Sequence, residues 1–302
     1  MQTQQVGTSD LQTSVLAYGC MEIAQGKTDN ESLKHATQAV MAAIEAGFTL
    51  FDHADIYGRT KCEEVFGRIL KSDPSLRANM IIATKCGIRG NPHRWDFSRD
   101  HIVWSCDQSL KRLNIETIDI YQLHRPDFLA DPEDICRAFC ELRASGKVRH
   151  FGVSNMRPSQ LAMISGALSF PLVVNQVQIS LLHQDCLEDG TLDQCISENM
   201  TPLAWAPVAG GILAGKELPD NAPDREAKQA LLDKMDEIAE EHGVGRDAVA
   251  LAWLRKHPSR IVPIIGTTKP DRIRTAAGAA AIELSRERWY ELLVSGRGQN
   301  LP

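Results

Sequence analysis

Short apolar segments alternate along this chain with longer segments in which hydrophobic residues recur every three or four positions. The short segments have the composition of buried β-strands, and the longer ones have the period of amphipathic helices. In the first helical segment Ala36, Val40 and Ile44 fall on one face, and Gly47 follows as a helix stop. The eight predicted strands are Val15–Tyr18, Thr49–Asp52, Met80–Lys85, Ile118–Leu123, His150–Ser154, Leu172–Gln178, Met200–Ala206 and Ile261–Gly266.

Seven of the longer segments have a clear helical pattern of apolar positions. Most of them lie between two predicted strands, which is the order expected of a parallel sheet with helical crossovers. The predicted helices are Asn30–Ala46, Glu63–Lys71, Arg99–Arg112, Pro132–Ser145, Arg225–His242, Asp247–Lys256 and Asp271–Ala279.

This alternation, without a linker rich in Pro, Gly or Ser, predicts one parallel α/β domain spanning residues 1–302. A doubly wound sheet is the competing architecture, and a GxGxxG motif after the first strand would favour it. The chain has YGCMEIAQG at that point, so we predict a single (β/α)8 TIM barrel. The segment Thr3–Thr13 contains turn-prone residues and predicts an N-terminal β-hairpin that closes the bottom of the barrel.

The composition changes this picture little. The chain has 302 residues, of which 43% are hydrophobic, and a net charge of −6. This length allows a well-buried core, and the charge gives no indication of a nucleic-acid or anionic-membrane partner. The polar N-terminus does not have the pattern of a secretory signal, and no stretch reaches 18 apolar residues. We therefore expect a cytoplasmic protein without a membrane segment; the sequence does not indicate its oligomeric state.

Eight cysteines are scattered along the chain without a CxxC pair. In a chain of this length they predict reduced thiols rather than a disulfide framework. Cys136 and Cys140 are four residues apart in a predicted helix and are expected to share a face. Because no paired His/Cys cluster lies nearby in the sequence, a shared helix face is favoured over a metal site, and we expect no metal.

Candidate catalytic residues stand where predicted strands end, which in a barrel of this kind is the end that carries the chemistry. Asp52 ends the second strand and Tyr57 follows five residues later; Lys85 and His124 end the next two. Reduction of a carbonyl needs a hydride on carbon and a proton on oxygen. The pKa of a tyrosine is about 10, and an adjacent ammonium favours the phenolate and lowers that pKa. We therefore expect Tyr57 to donate the proton, Lys85 to lower its pKa, Asp52 to hold the lysine, and His124 to orient the substrate oxygen.

The motifs FDHADIYG, IIATKCG and IDIYQLHRP that carry these residues resemble the catalytic motifs of the aldo-keto reductases. The resemblance extends from about Leu16 to Ile273. It implies a (β/α)8 barrel that binds NADPH extended across its mouth without a Rossmann motif and reduces a small carbonyl compound. It also implies that Tyr57 is the acid and that the other three residues assist it. His53 and Asp55 adjoin this set and are interpreted as supporting or surface residues.

The fifth and sixth strands supply Ser154, Asn155 and Gln176, whose hydroxyl and amide groups offer both donors and acceptors. In the family pattern these three hold the nicotinamide carboxamide. The family usually has an aromatic residue before a Ser-Pro step, where it stacks on the nicotinamide ring. Trp205 has that position here, and Ala206 replaces the serine.

The missing serine hydroxyl shifts the expected pyrophosphate contacts to the backbone that follows. That backbone comprises Pro207, Val208, Gly210 and Gly211, and its glycines allow close approach to phosphate. Lys216 adds a positive charge.

A further anion site is expected after the eighth strand, where hydroxyls, amides and cations precede a predicted helix. The segment resembles the one that binds the adenosine 2′-phosphate in the family, which implies a preference for NADPH over NADH. Arg274 is a weaker additional candidate, and Thr275–Ala276 stands where the family commonly has Glu-Asn against adenine. The main residues of this site are Gly266, Thr267, Thr268, Lys269 and Arg272.

Gly19, Cys20 and Met21 follow the first predicted strand, beside the expected cofactor, where the family often has an aromatic residue that lines the substrate pocket. Met21 would give a more adaptable pocket wall, and it is equally consistent with a core position. A rival function is a cofactor-binding regulatory or scaffold subunit with little turnover. The complete set of four candidate catalytic residues favours an enzyme.

Overall fold

The computed structural model describes residues 1–90 and 92–300. Eight parallel strands, β3 to β5 and β8 to β12 in the numbering below, form a closed barrel in which the last strand pairs with the first. Each overlaps a predicted strand, so the predicted (β/α)8 barrel is confirmed. The strands are β1 (Thr3–Gln5), β2 (Gln12–Ser14), β3 (Ala17–Gly19), β4 (Leu50–Asp52), β5 (Ile81–Cys86), β6 (Ile88–Arg89), β7 (Arg94–Trp95), β8 (Ile118–Leu123), β9 (Val148–Ser154), β10 (Leu172–Gln178), β11 (Thr201–Trp205) and β12 (Val262–Ile265).

The helices include all seven that the sequence predicts, with ends that differ by two residues or fewer, together with α5, α6 and α10, which were not predicted. α6 is short, and α5 and α10 bury two residues each, which leaves little periodic signal. No helix in the described residues is long and apolar enough to cross a membrane. The helices are α1 (Asn30–Glu45), α2 (Lys61–Ser72), α3 (Arg99–Leu113), α4 (Pro132–Ala144), α5 (Pro158–Ala167), α6 (Thr191–Ser197), α7 (Arg225–His242), α8 (Arg246–Lys256), α9 (Pro270–Gly278) and α10 (Arg286–Arg297).

The predicted N-terminal hairpin is present as the antiparallel pair β1 and β2, and it covers the barrel bottom, the end at which the strands begin. Val6 and Leu11 in its loop are buried in the same apolar cluster as the inner residues of the barrel. The Gly7 N–H donates to Thr201 Oγ1 at 2.8 Å. A Cβ on Gly7 would lie 2.6 Å from the Val173 carbonyl oxygen, and its φ of +51° also favours glycine.

A buried carboxylate joins several elements at this bottom end. Asp119 accepts from the guanidinium of Arg77 at 2.8 Å, from that of Arg149 at 2.9 Å, and from the Ile82 N–H at 2.8 Å. Arg149 also donates to Asp10 of the hairpin at 2.8 Å. Each oxygen of this buried carboxylate therefore has a partner, as burial of a charge requires.

At the opposite end, which we call the mouth, the short hairpin of β6 and β7 extends the loop after β5. It was not predicted. The loop after β8 is joined to this region because Asp127 accepts from the Phe97 N–H at 2.8 Å. The rings of Trp95 and Phe128 meet edge to face, with centroids 5.5 Å apart. Two loops thus form one aromatic wall beside the mouth.

Candidate active site

Three of the four candidate catalytic side chains meet at one ammonium group. Lys85, in β5, donates from Nζ to Asp52 Oδ1 and Oδ2 at 2.7 and 2.8 Å and to the His53 carbonyl at 2.7 Å. The same Nζ lies 3.3 Å from the Tyr57 hydroxyl. Parallel strands that end at one rim bring these residues together, although they are up to 33 positions apart in the chain.

The electrostatics of Lys85 favour its charged form. Burial lowers the pKa of this ammonium, but Asp52 and Tyr57 together outweigh burial, and the net pKa is raised. Lys85 and Asp52 are 1% and 2% exposed, so each would be strongly destabilised without the other.

Tyr57 departs from the expectation. Burial raises the pKa of its phenol, Lys85 lowers it, and the net pKa lies above the ordinary value of a tyrosine. The expected direction of the lysine's effect is confirmed, whereas the expected net lowering is wrong. A phenolate in this position loses more hydration than one ammonium at 3.3 Å compensates.

His124 stands directly after β8 with its ring edge to face against Tyr57, the centroids 6.0 Å apart. Burial, together with the positive charges of Lys85 and Arg125, lowers its pKa to about 2. The imidazole is therefore neutral at ordinary pH. Its Nδ1 is buried without a hydrogen-bond partner.

The three residues expected to hold a carboxamide also lie together. Ser154 Oγ donates to the Gln176 carbonyl at 2.8 Å, and Asn155 Nδ2 donates to Ser154 Oγ at 2.8 Å. Gln176 Nε2 donates to Asp52 Oδ2 at 3.2 Å, while Gln176 Oε1 is buried without a partner. The bond to Asp52, between residues 124 positions apart, connects this group to the ammonium cluster and was not predicted.

Trp205 belongs to the same network because its Nε1 donates to Asn155 Oδ1 at 2.9 Å. The guanidinium of Arg125 lies 5.3 Å from the centre of the Trp205 ring, a contact that the sequence did not indicate. Ala206 follows with a φ of +53°, a conformation that few residues other than glycine adopt. The hydrogen bond to Asn155 thus fixes the orientation of the indole, and the guanidinium of Arg125 lies over its ring.

The chain after Ala206 turns sharply. Pro207 is buried and Val208 precedes a short 3-10 helix, Ala209–Ala214, in which Gly210 and Gly211 have φ values of +66° and +98°. A Cβ on Gly210 would meet no atom within 4 Å, and Lys216 is exposed beyond the turn. Gly210 is therefore open to solvent, and anion binding by this backbone stays a prediction.

The segment before α9 brings the other set of predicted anion-binding groups to the surface. Gly266, Lys269 and Arg272 are exposed, and Thr267 and Thr268 are half-buried. Lys269 N–H donates to Thr267 Oγ1 at 3.3 Å. Arg274 instead pairs with Glu45 at 3.1 Å and with Asp271 at 3.4 Å, so its charge is already compensated.

The exposure of Met21, just after the first barrel strand, decides between the two interpretations of this residue. Gly19 packs tightly, since a Cβ there would lie 2.9 Å from Ile264 Cγ2, and Cys20 is fully buried. Met21 is 51% exposed, so the interpretation as a core position is wrong. A place on a pocket wall remains a prediction.

A second buried polar group adjoins the cluster and was not predicted. Glu63 of α2 is fully buried and accepts from Thr84 Oγ1 at 2.6 Å and from Arg112 at 2.7 Å. Burial and the neighbouring Glu63 raise the pKa of Asp55 to about 7. His53 is fully buried against Phe66, so the interpretation of His53 as a surface residue is wrong.

Comparisons with known proteins agree with this geometry. The model of the Aldo/keto reductase family matches residues 15–293. A 6-dehydroglucose reductase from Novosphingobium aromaticivorans is 40% identical over 306 aligned positions, which cover 99% of this chain and 97% of that protein. Another 6-dehydroglucose reductase, from Agrobacterium fabrum, is 36% identical and covers 99% of both chains.

A solved structure, the glycerol dehydrogenase of Gluconobacter oxydans, has a TM-score of 0.88 against this chain. The match covers 99% of this chain and 97% of that one, and at 24% identity it shows the fold alone. On the family match and the two relatives, the chain belongs to the aldo/keto reductase family and is an oxidoreductase. The resemblance noted in the sequence is confirmed.

Proposed function

We propose that this protein reduces the carbonyl group of a small aldehyde or ketone with NADPH, and that Tyr57 supplies the proton. The observation that carries the proposal is the position of Lys85 Nζ, which lies 2.7 Å from Asp52 and 3.3 Å from the Tyr57 hydroxyl. One ammonium thus connects a fixed counter-ion to a phenol.

The protonation states support this assignment. Because burial raises its pKa, Tyr57 is protonated at neutral pH and carries the proton that a reduced carbonyl oxygen needs. As the proton leaves, the ammonium of Lys85 stabilises the phenolate, and Asp52 keeps that ammonium in place. Neutral His124 orients the carbonyl oxygen by a hydrogen bond. The bound cofactor supplies the hydride.

The residues at the mouth fit a nicotinamide cofactor. Gln176 Oε1 is a buried acceptor without a protein partner, and a carboxamide N–H is a suitable donor for it. Ser154 and Asn155 complete the polar group, and the indole of Trp205 offers a stacking surface. The other residues proposed to contact the cofactor are Gly19, Cys20, Met21, Ala206, Pro207, Val208, Gly210, Gly211, Lys216, Gly266, Thr267, Thr268, Lys269 and Arg272.

The decisive experiment replaces Tyr57 by Phe. We expect Tyr57→Phe to lower carbonyl reduction by about 10²- to 10⁴-fold, the usual contribution of a positioned acid, while NADPH binding measured by fluorescence is retained. Tyr290→Phe, which alters an exposed tyrosine on α10, is the matched control and should reduce substrates like the parent. Equal activity of the Tyr57 variant would contradict the proposal.

The substrate panel follows from the relatives. Two of them are named 6-dehydroglucose reductase, so 6-dehydroglucose is the first compound to test, followed by simple aldehydes and diketones. If the purified protein binds NADPH but oxidises none of it with any of these substrates, that result favours the alternative function, a regulatory cofactor-binding subunit.

Cofactor preference is tested at α9. Arg272 is exposed and has no ion-pair partner among the described residues, whereas Arg274 is paired. We expect Arg272→Ala to raise the KM for NADPH about tenfold relative to NADH, as for the loss of one charge-assisted hydrogen bond. Arg274→Ala is the control and should leave the ratio of the two KM values near that of the parent.

A further inference from the structure

Away from the mouth, two cysteines lie side by side on the outer surface of α4. The Sγ atoms of Cys136 and Cys140 are 3.9 Å apart, as their spacing of four residues along a helix predicts. The other six cysteines of the chain are buried, whereas Cys136 is half-buried and Cys140 is exposed. A thiol reagent in solution therefore meets this pair first.

The helix fixes the positions of the two cysteines relative to each other. Asp131 caps α4 by accepting from the Glu133 N–H at 2.9 Å, and Pro132 stands in the first turn. A neighbouring face of the helix, which includes Ile135 and Phe139, is buried in the core. The two thiols therefore project from a rigid surface.

The spacing suits a bridging atom better than a disulfide. Two sulfurs that each form a bond of about 2.3 Å to one shared atom are held roughly 3.3–3.8 Å apart, depending on the bond angle at that atom, and a small rotation of either side chain reaches this range from the observed 3.9 Å. A disulfide requires Cβ atoms about 3.5–4.5 Å apart, whereas residues four apart on a helix have Cβ atoms about 5–6 Å apart. Closing the gap that far would distort a well-packed helix. Binding one soft atom between the thiols would leave the helix unchanged.

The surroundings indicate which kind of atom this is. Within the described residues, no group of three or more His, Cys, Asp or Glu side chains could hold a metal ion, so a cation that needs four protein ligands is not favoured here. A trivalent arsenic atom that carries one organic substituent needs only two sulfur ligands. Burial and the contact with Cys140 raise the pKa of the Cys136 thiol, which disfavours the thiolate that disulfide exchange requires.

We propose that Cys136 and Cys140 form a dithiol site for monosubstituted trivalent arsenicals. Each S–H loses its proton to a hydroxyl group on arsenic, two As–S bonds replace two As–O bonds, and two water molecules leave. The oxidation state of arsenic and of sulfur does not change, so the step needs no further reagent. This site is independent of the proposed reductase activity.

The test uses the full chain and phenylarsine oxide. We expect one equivalent to bind, to be retained against excess glutathione, and to be released by a dithiol such as dithiothreitol. Intact-mass measurement and peptide mapping locate the adduct. Either Cys136→Ser or Cys140→Ser should weaken binding by about 10²-fold or more, because the second As–S bond is intramolecular.

A matched variant separates spacing from thiol number. Cys140→Ser combined with Glu141→Cys keeps two thiols on α4 but places them five residues apart on different faces, and we expect it to bind like a single-cysteine variant. Carbonyl reduction should be unchanged in all of these variants. Binding as tight in either serine variant as in the parent, or an adduct on a buried cysteine, would overturn the proposal.

Discussion

At the barrel bottom the buried carboxylate of Asp119 has a hydrogen-bond partner for each oxygen, whereas at the mouth several buried polar groups have none. Within the described residues, the buried side-chain nitrogen and oxygen atoms without a partner belong, apart from one on His35, to residues in the middle or second half of a barrel strand or just after it. They lie on His53, Asp55, Gln122, His124, Asn175 and Gln176.

This contrast separates stability from function. A buried polar group without a partner is unfavourable by about 1–3 kcal/mol, so a structure that carries several at one end is less stable than it could be. The bottom satisfies its charges and stabilises the barrel. The mouth retains donors and acceptors for groups that arrive from solution, which is where the proposed cofactor and substrate bind.

The largest predicted effect is at the bottom. We expect Asp119→Ala to lower the free energy of unfolding by about 2–4 kcal/mol, because it leaves the Ile82 N–H buried without an acceptor and removes the counter-ion of two guanidinium groups. Denaturant unfolding measures the loss, and kcat per folded molecule should not change. Asp100→Ala, at a side chain 91% exposed, is the control and should change stability by less than about 0.5 kcal/mol.

The next predicted effect is a loss of stability at acidic pH, caused by two buried histidines near the mouth. Burial lowers the pKa of His53 to about 3 and that of His124 to about 2. The unfolded chain binds protons at these groups below about pH 6.5, and the folded chain does not. Stability therefore falls as the pH drops from about 6.5 towards those lowered values, by about 1.4 kcal/mol per pH unit for each histidine.

Removing one of these histidines should flatten that dependence. His53→Leu should reduce the slope of unfolding free energy against pH, between about pH 6 and pH 4, by the equivalent of one proton. The measurement is a series of denaturant titrations across that range. A slope equal to that of the parent would mean that the folded protein already binds this proton.

A smaller predicted effect distinguishes the side-chain amide of Gln176 from that of Gln122. Gln176→Met removes an acceptor without a protein partner and also the hydrogen bond to Asp52. We therefore expect stability to fall by about 1–2 kcal/mol and NADPH affinity to fall about 3- to 10-fold. Gln122→Met is the control, since both amide atoms of Gln122 are buried without partners. Gln122→Met should leave NADPH affinity unchanged. Equal losses of NADPH affinity in the two variants would contradict the proposal that Gln176 binds the cofactor.

The smallest effect returns to the bottom. The hydrogen bond from His150 lowers the pKa of Asp10, which is 69% exposed. A lowered carboxyl pKa stabilises the fold above about pH 4 and loses that contribution as the pH falls through the folded value. Because the pair is exposed, we expect Asp10→Asn to change stability at pH 7 by less than about 0.5 kcal/mol, and not at all at pH 2.

The sequence predicted the features that depend on local pattern. Buried strands have continuous apolar runs, and residues such as Lys85 and His124 at their ends share one rim because the strands are parallel. Contacts between residues that are far apart in the chain leave no such local pattern in the sequence. The bond from Gln176 to Asp52 joins residues 124 positions apart, and the burial of Glu63 depends on how α2 packs against α3. The net pKa of Tyr57 likewise depends on burial, which a sequence does not give.

The N-terminal hairpin has a consequence for biosynthesis. The hydrogen bond that seats Gly7 reaches a residue 194 positions later in the chain. At a translation rate of about 5–20 residues per second, Gly7 waits about 10–40 s after its own synthesis before Thr201 exists. During that time Val6 and Leu11 lack part of the barrel cluster that buries them in the folded protein. The hairpin thus reaches its final place long after its own residues have been made.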